Sequence, residues 1–149
     1  MNKKEAGKAK AIFGIALLIL ILDQTVKLLI VNSLERTMEI IPGFLYFTFI
    51  ANTGAGFGIL KGQNSLLIFI TLIILGLILF YYDRYPKNKL VHYGTSLIIG
   101  GALGNLVDRI RVGYVIDFIS FSFWPAFNIA DSAISIGALL LIIYFWRSS

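Results

Sequence analysis

Three aspartates fall within residues 104–131 of a chain that is otherwise almost hydrocarbon: Asp108 in GNLVDR, Asp117 in VIDF and Asp131 in FNIADS. A carboxylate inside a bilayer is costly, so its presence there points to function. Two carboxylates sharing a site cannot both ionise easily; one keeps its proton as an acid while the other activates water. Asp108 is followed by Arg109, with Arg111 near, which suits a charge-paired supporting role. The apolar neighbours of Asp117 favour a raised pKa and acid–base use. Asp131 opens an apolar run and faces the same interface. These neighbourhoods favour Asp117 with Asp131 and leave Asp108 in contention.

Amides accompany the acids. Asn105-x-x-Asp108 and Asn128-x-x-Asp131 each place an amide and a carboxylate on one helix face. Such an amide can hold a carboxylate in one rotamer or position a carbonyl. Helix capping is the competing explanation, apt for Asn128 at a helix start and poor for Asn105 inside a span. Asp23 and Lys27 stand four apart, spaced to neutralise each other and snorkel at a helix end. His92 is the single histidine, and no residues around it have metal-ligand spacing, so neither a metal nor another cofactor is expected. Ser96, Ser120, Ser122, Ser132 and Ser135 form no G-x-S-x-G elbow, and no cysteine is available as a nucleophile.

The elements that must position these groups follow from composition. With 58% hydrophobic and 14% charged residues, the chain has too little charge to cover a soluble surface. Four apolar runs approach or reach the length of a ~30 Å hydrocarbon core: Ala11–Val31, Leu66–Tyr82, Leu90–Val107 and Ile129–Trp146. The first has a lysine-rich start like a signal peptide's, but it runs into LDQTVK without a small-residue cleavage site and reads as an uncleaved span. The amino-terminal, 83–89 and carboxy-terminal segments carry Lys3, Lys4, Lys8, Lys10, Arg84, Lys87, Lys89 and Arg147. The other two connections carry Lys27, Arg36, Lys61, Arg109 and Arg111. That excess puts both termini in the cytoplasm and gathers the acidic groups at the outer leaflet.

The outer connections carry signals of their own. Phe44–Ala51 is aromatic and β-prone between Pro42-Gly43 and Asn52-Thr53-Gly54, and predicts an interfacial strand. The NTGAGFG run at 52–58 allows close backbone approach to a bound chain. Residues 113–127 read as an amphipathic segment lying on the bilayer surface. Gly100, Gly101 and Gly104 leave one face of the third span bare for a neighbouring helix. The fold class is therefore membrane α-helical: one domain over 1–149, four transmembrane helices, a small outer sheet and a short amphipathic segment. The net charge of +5 forms no basic stripe, so no nucleic-acid partner is expected.

The ordered set DQTVK (23–27), NTGAGFG (52–58), GNLVDR (104–109), VIDF (115–118) and FNIAD (127–131) resembles bacterial lipoprotein signal peptidase, or signal peptidase II, over nearly the whole chain. The resemblance implies an aspartyl endopeptidase of the bacterial cytoplasmic membrane. Its partners would be membrane lipids and diacylglyceryl-modified prolipoproteins, cut before the lipidated cysteine. It places the catalytic pair on Asp117 and Asp131, with Asp23, Lys27, Asn52, Gly54, Asn105, Asp108, Arg109 and Asn128 as substrate-binding or supporting positions. The outer sheet would form a cradle, and one chain would suffice as a monomer. Gly56 departs from the alanine usual there. The alternative is a small proton- or ion-coupled transporter, which would set its carboxylates near the bilayer midplane. Here the inner halves of the spans lack acids.

Overall fold

The computed structural model describes residues 3–33, 37–56 and 59–148, with side chains described from residue 11 onward. Arg36 of the charge count and Phe57 and Gly58 of the glycine-rich run lie outside the described residues. Among the described residues, four helices and four strands follow in the order α1 (Lys3–Ser33), β1 (Met38–Ile41), β2 (Leu45–Asn52), α2 (Asn64–Phe80), α3 (Lys89–Val112), β3 (Val115–Phe121), β4 (Trp124–Phe127) and α4 (Ile129–Ser148). A 3-10 turn at Tyr82–Arg84 links α2 to α3.

Among the described residues, three helical segments are long and apolar enough to cross a membrane: Ala11–Ser33, Lys89–Val112 and Ile129–Ser148. Helix α2, at 17 residues, is apolar but shorter. Large apolar side chains such as Leu17, Phe69 and Trp146 point outward, as expected where the surroundings are hydrocarbon. Ile12 and Ala16 of α1, Leu75 of α2, and Ile99, Ala102 and Leu106 of α3 form the buried apolar cluster.

Helix α3 lies between α1 and α4, and its glycines serve both neighbours. The glycine spacing suggests one bare face, but adjacent residues on a helix point about 100° apart, so both neighbours are reached. A methyl on Gly101 would strike the carbonyl oxygen of Ala130 in α4. One on Gly104 would lie 2.6 Å from the Asp23 carboxylate of α1 and 3.2 Å from the Ala130 Cβ. Bare backbone here lets three helices meet at one level. Asn88 starts α3 by accepting the Leu90 N–H at 2.8 Å. Gly113 ends it at φ +85°, a left-handed conformation that turns the chain straight into β3.

The strands form one antiparallel sheet in the order β1-β2-β3-β4. Strand β2 answers the expectation at Phe44–Ala51, shifted by one residue. Residues 113–127 differ from theirs: they fold as the β3–β4 hairpin. Alternating apolar and polar residues suit an interfacial stretch or a half-buried strand equally, and pairing with β2 decides it. Phe47 pairs with Ile119 but Ile50 with Asp117, so β2 carries one extra residue opposite Phe118. That bulge lies next to Asp117, where extra local twist re-aims side chains.

Candidate active site

Asp117 reaches the site from β3 and is 1% exposed. Asn52, the last residue of β2, donates from Nδ2 to Asp117 Oδ2 at 2.8 Å. Asn128 donates from Nδ2 to Asp117 Oδ1, also at 2.8 Å. Burial pushes the Asp117 carboxyl up to about 7. The Asn52 amide opposes that shift, the Asp131 charge adds to it, and Lys27 and Asn128 oppose it.

Asp131 occupies the first turn of α4. Its backbone N–H donates to Asn128 Oδ1 at 2.8 Å, and its Oδ2 accepts the Asn128 N–H at 3.3 Å. This reciprocal pair is a capping box with aspartate in the third helical position. The other oxygen, Oδ1, accepts Asn105 Nδ2 at 2.8 Å. Capping and site-building are thus one act for Asn128: it starts α4 and touches both carboxylates. Its Nδ2 also lies 3.2 Å from Asn105 Oδ1 and from the Ile116 carbonyl oxygen.

Behind the pair lies a fully buried ion cluster. Lys27 Nζ is 2.8 Å from Asp23 Oδ2 and 2.7 Å from Asp108 Oδ2, with all three side chains at 0% exposure. The same ammonium donates to Asn105 Oδ1 at 3.1 Å. Asp23 Oδ1 accepts the Ala130 N–H at 2.9 Å, and Asp108 Oδ2 accepts the Ile116 N–H at 3.1 Å. Two expectations are corrected. The Asp23–Lys27 pair does not snorkel, because Asp108 supplies a second counter-charge inside the protein. Asp108 pairs with Lys27 of α1 rather than with Arg109, since consecutive helix residues do not face each other.

Arg109 instead donates from Nη2 to the Gly54 carbonyl at 2.7 Å, and the Gly54 N–H donates to Asn52 Oδ1 at 2.9 Å. The loop after β2 is thereby held from both sides. A cavity of about 940 Å³ opens in front of these groups, lined by Asn52–Gly56, Asn105, Arg109, Asp117, Asp131 and the β4 residues Trp124–Phe127. All ten positions carried over from the sequence meet here: six line the cavity, and Asn128, Lys27, Asp23 and Asp108 stand behind them. Among the described residues, no cluster of three His, Cys, Asp or Glu side chains could hold a metal ion.

Gln24 belongs to this junction as well, without a role expected from its sequence. Its Nε2 donates to Asp108 Oδ1 at 2.8 Å and to the Gly104 carbonyl at 3.1 Å, joining α1 to α3. An amide inside an apolar span is itself the signal that would have found it.

Residues 15–147 match the family model described as signal peptidase (SPase) II. The chain is 45% identical to a lipoprotein signal peptidase of Halothermothrix orenii over 138 residues, covering 91% of this chain and 95% of the relative. It is 40% identical to one of Pelotomaculum thermopropionicum, covering 87% and 88%. Two solved bacterial membrane enzymes, determined by the in meso method at 2.3 Å and 1.9 Å resolution, superpose with TM-scores of 0.86 and 0.83. Each is 36% identical; the first match covers 92% of this chain and 88% of that one, the second 93% and 94%.

Proposed function

The chain belongs to the signal peptidase II family, and on that premise we propose how its aspartates carry out the reaction. It is a membrane hydrolase that removes signal peptides from prolipoproteins. The transporter alternative has no support, since the matched family and the named relatives are peptidases. Our proposal is an aspartyl endopeptidase that cuts on the amino side of a diacylglyceryl-modified cysteine. The observation that carries it is that Asp117 and Asp131 line one cavity and share Asn128.

In this mechanism a water sits between the two carboxyls. Asp131 is the resting carboxylate, because the first turn of a helix favours negative charge. Asp117, buried in a strand with its carboxyl near 7, holds the proton. Asp131 takes a proton from the water as its oxygen attacks the scissile carbonyl. Asp117 polarises that carbonyl and then delivers its own proton to the leaving amine. The proton held by Asp131 resets the pair. Asn105 and Asn128 keep both carboxyls oriented through the cycle.

The surrounding fold supports a wider reading. Helix α2, about 26 Å long, would be the fourth span, accommodated by local thinning or by the residues at its ends. Both termini would then lie in the cytoplasm and the cavity near the outer leaflet of the bacterial cytoplasmic membrane. Each site residue named comes from one chain, so a monomer suffices. Incubating purified protein with a lipidated precursor and its unlipidated twin tests the proposal. Cleavage of the lipidated form alone is expected; equal cleavage of both would defeat the lipid requirement.

A further inference from the structure

Ser135 stands four residues beyond Asp131 on α4, about 6 Å farther along the helix axis. It lines the same cavity as the two aspartates, and its side chain is exposed there. Serine and threonine in apolar helices commonly turn their hydroxyls back onto the carbonyl four residues earlier. Ser132 does so with Asn128 at 3.0 Å, as do Thr71 with Leu67 at 2.8 Å and Ser96 with His92 at 2.7 Å. Ser135 does not: among the described residues its hydroxyl has no hydrogen-bond partner. A free donor one turn below the aspartates therefore faces a space built for substrate.

The direction of the substrate follows from solvation. The apolar part of a signal peptide must lie beside apolar spans, so it leaves the site along the body of α4, past Ser135. Wherever that segment is helical, its last four carbonyls have no partner within the helix. In hydrocarbon an unsatisfied carbonyl is strongly penalised. Extended chain covers about 3.3 Å per residue, so 6 Å corresponds to roughly two residues before the cut.

We propose that Ser135 is a substrate-binding residue whose hydroxyl donates to a backbone carbonyl of the signal peptide two to four residues before the scissile bond. This rests on the peptidase reading above and adds to it where the departing segment is held. Ser132, committed to Asn128, lacks a free proton for the task.

The test measures kcat/KM on a lipidated precursor for wild type, Ser135→Ala and Ser135→Thr. It is repeated with precursors in which the second, third or fourth peptide link before the cut is an ester, whose carbonyl is a weaker acceptor. Ser135→Ala should lower kcat/KM roughly two- to tenfold, the size of one net hydrogen bond. Ser135→Thr should stay within about twofold of wild type on the same reasoning. The alanine loss should shrink on one of the ester precursors and persist on the others. Wild-type turnover by Ser135→Ala, or an equal loss on every precursor, would overturn this inference and leave the peptidase reading intact. A wild-type protein that cleaves no lipidated precursor would overturn both.

Discussion

Lys27 and Asn105 meet through one hydrogen bond, Nζ to Oδ1 at 3.1 Å, and that bond settles which way the amide of Asn105 faces. With its oxygen turned to the ammonium, its nitrogen can only point at Asp131, which it reaches at 2.8 Å. The buried ion cluster thus bears on the proposed catalytic carboxyl of Asp131 by orienting an amide, while Asp23, Lys27 and Asp108 stand outside the cavity lining.

Replacing Lys27 by Met should destabilise the protein by about 3–5 kcal/mol, because it strands the buried carboxylates of Asp23 and Asp108 without a counter-charge. Thermal unfolding in detergent measures this. A melting temperature equal to wild type would show that the cluster contributes no stability.

Asp117→Asn and Asp131→Asn should each cut turnover by about 10²- to 10⁴-fold or more, as befits loss of an acid or base. Each asparagine keeps the size of the carboxyl it replaces but sets an NH2 where one of two accepting oxygens stood, so stability should fall by about 1–3 kcal/mol with the fold retained. Substantial turnover by either variant would remove that residue from the mechanism.

The pH profile follows from Asp117. Its folded-state carboxyl titrates near 7 against an ordinary value of 3.8, so the folded protein holds a proton that the unfolded chain releases earlier. The associated stability is present below about 4 and is lost as pH rises through about 7. If Asp117 must be protonated, kcat should fall over the same alkaline limb. The Asn52 hydrogen bond opposes the shift, so Asn52→Leu should move that limb to higher pH. A limb that moves the other way would contradict the assignment of Asp117 as acid.

Gly104→Ala should cost about 1–3 kcal/mol, since the added methyl would lie 2.6 Å from the Asp23 carboxylate and force α1 and α3 apart. Chemical denaturation of the detergent-solubilised variant checks it. An unchanged midpoint would mean the helices shift at no cost.

Helices α1, α3 and α4 were legible because each contains a run of apolar residues long enough to cross a membrane. Strand β2 was legible from its aromatic run and the turn residues around it. The β3–β4 hairpin was not, because its pattern also suits an interfacial segment and only pairing with β2 separates the two. Asp108 was misread from its neighbour in sequence; its partner Lys27 lies 81 positions earlier, and nothing local announces it. The aspartates themselves stood out as charges in an otherwise apolar stretch of sequence. Their amide web did not, because each of its bonds joins separate elements.

Ala130 N–H to Asp23, Lys27 to Asp108 and Asn105 to Asp131 fasten α1, α3 and α4 at a single level along their lengths. Helices joined that way behave like the ribs of a fan: they can splay at the far ends while the rivet stays put. A thicker or thinner bilayer, which changes helix tilt, should therefore be absorbed away from the carboxyl pair. Turnover measured in vesicles of different acyl length ought to vary less than the tilt of α1 and α4 does.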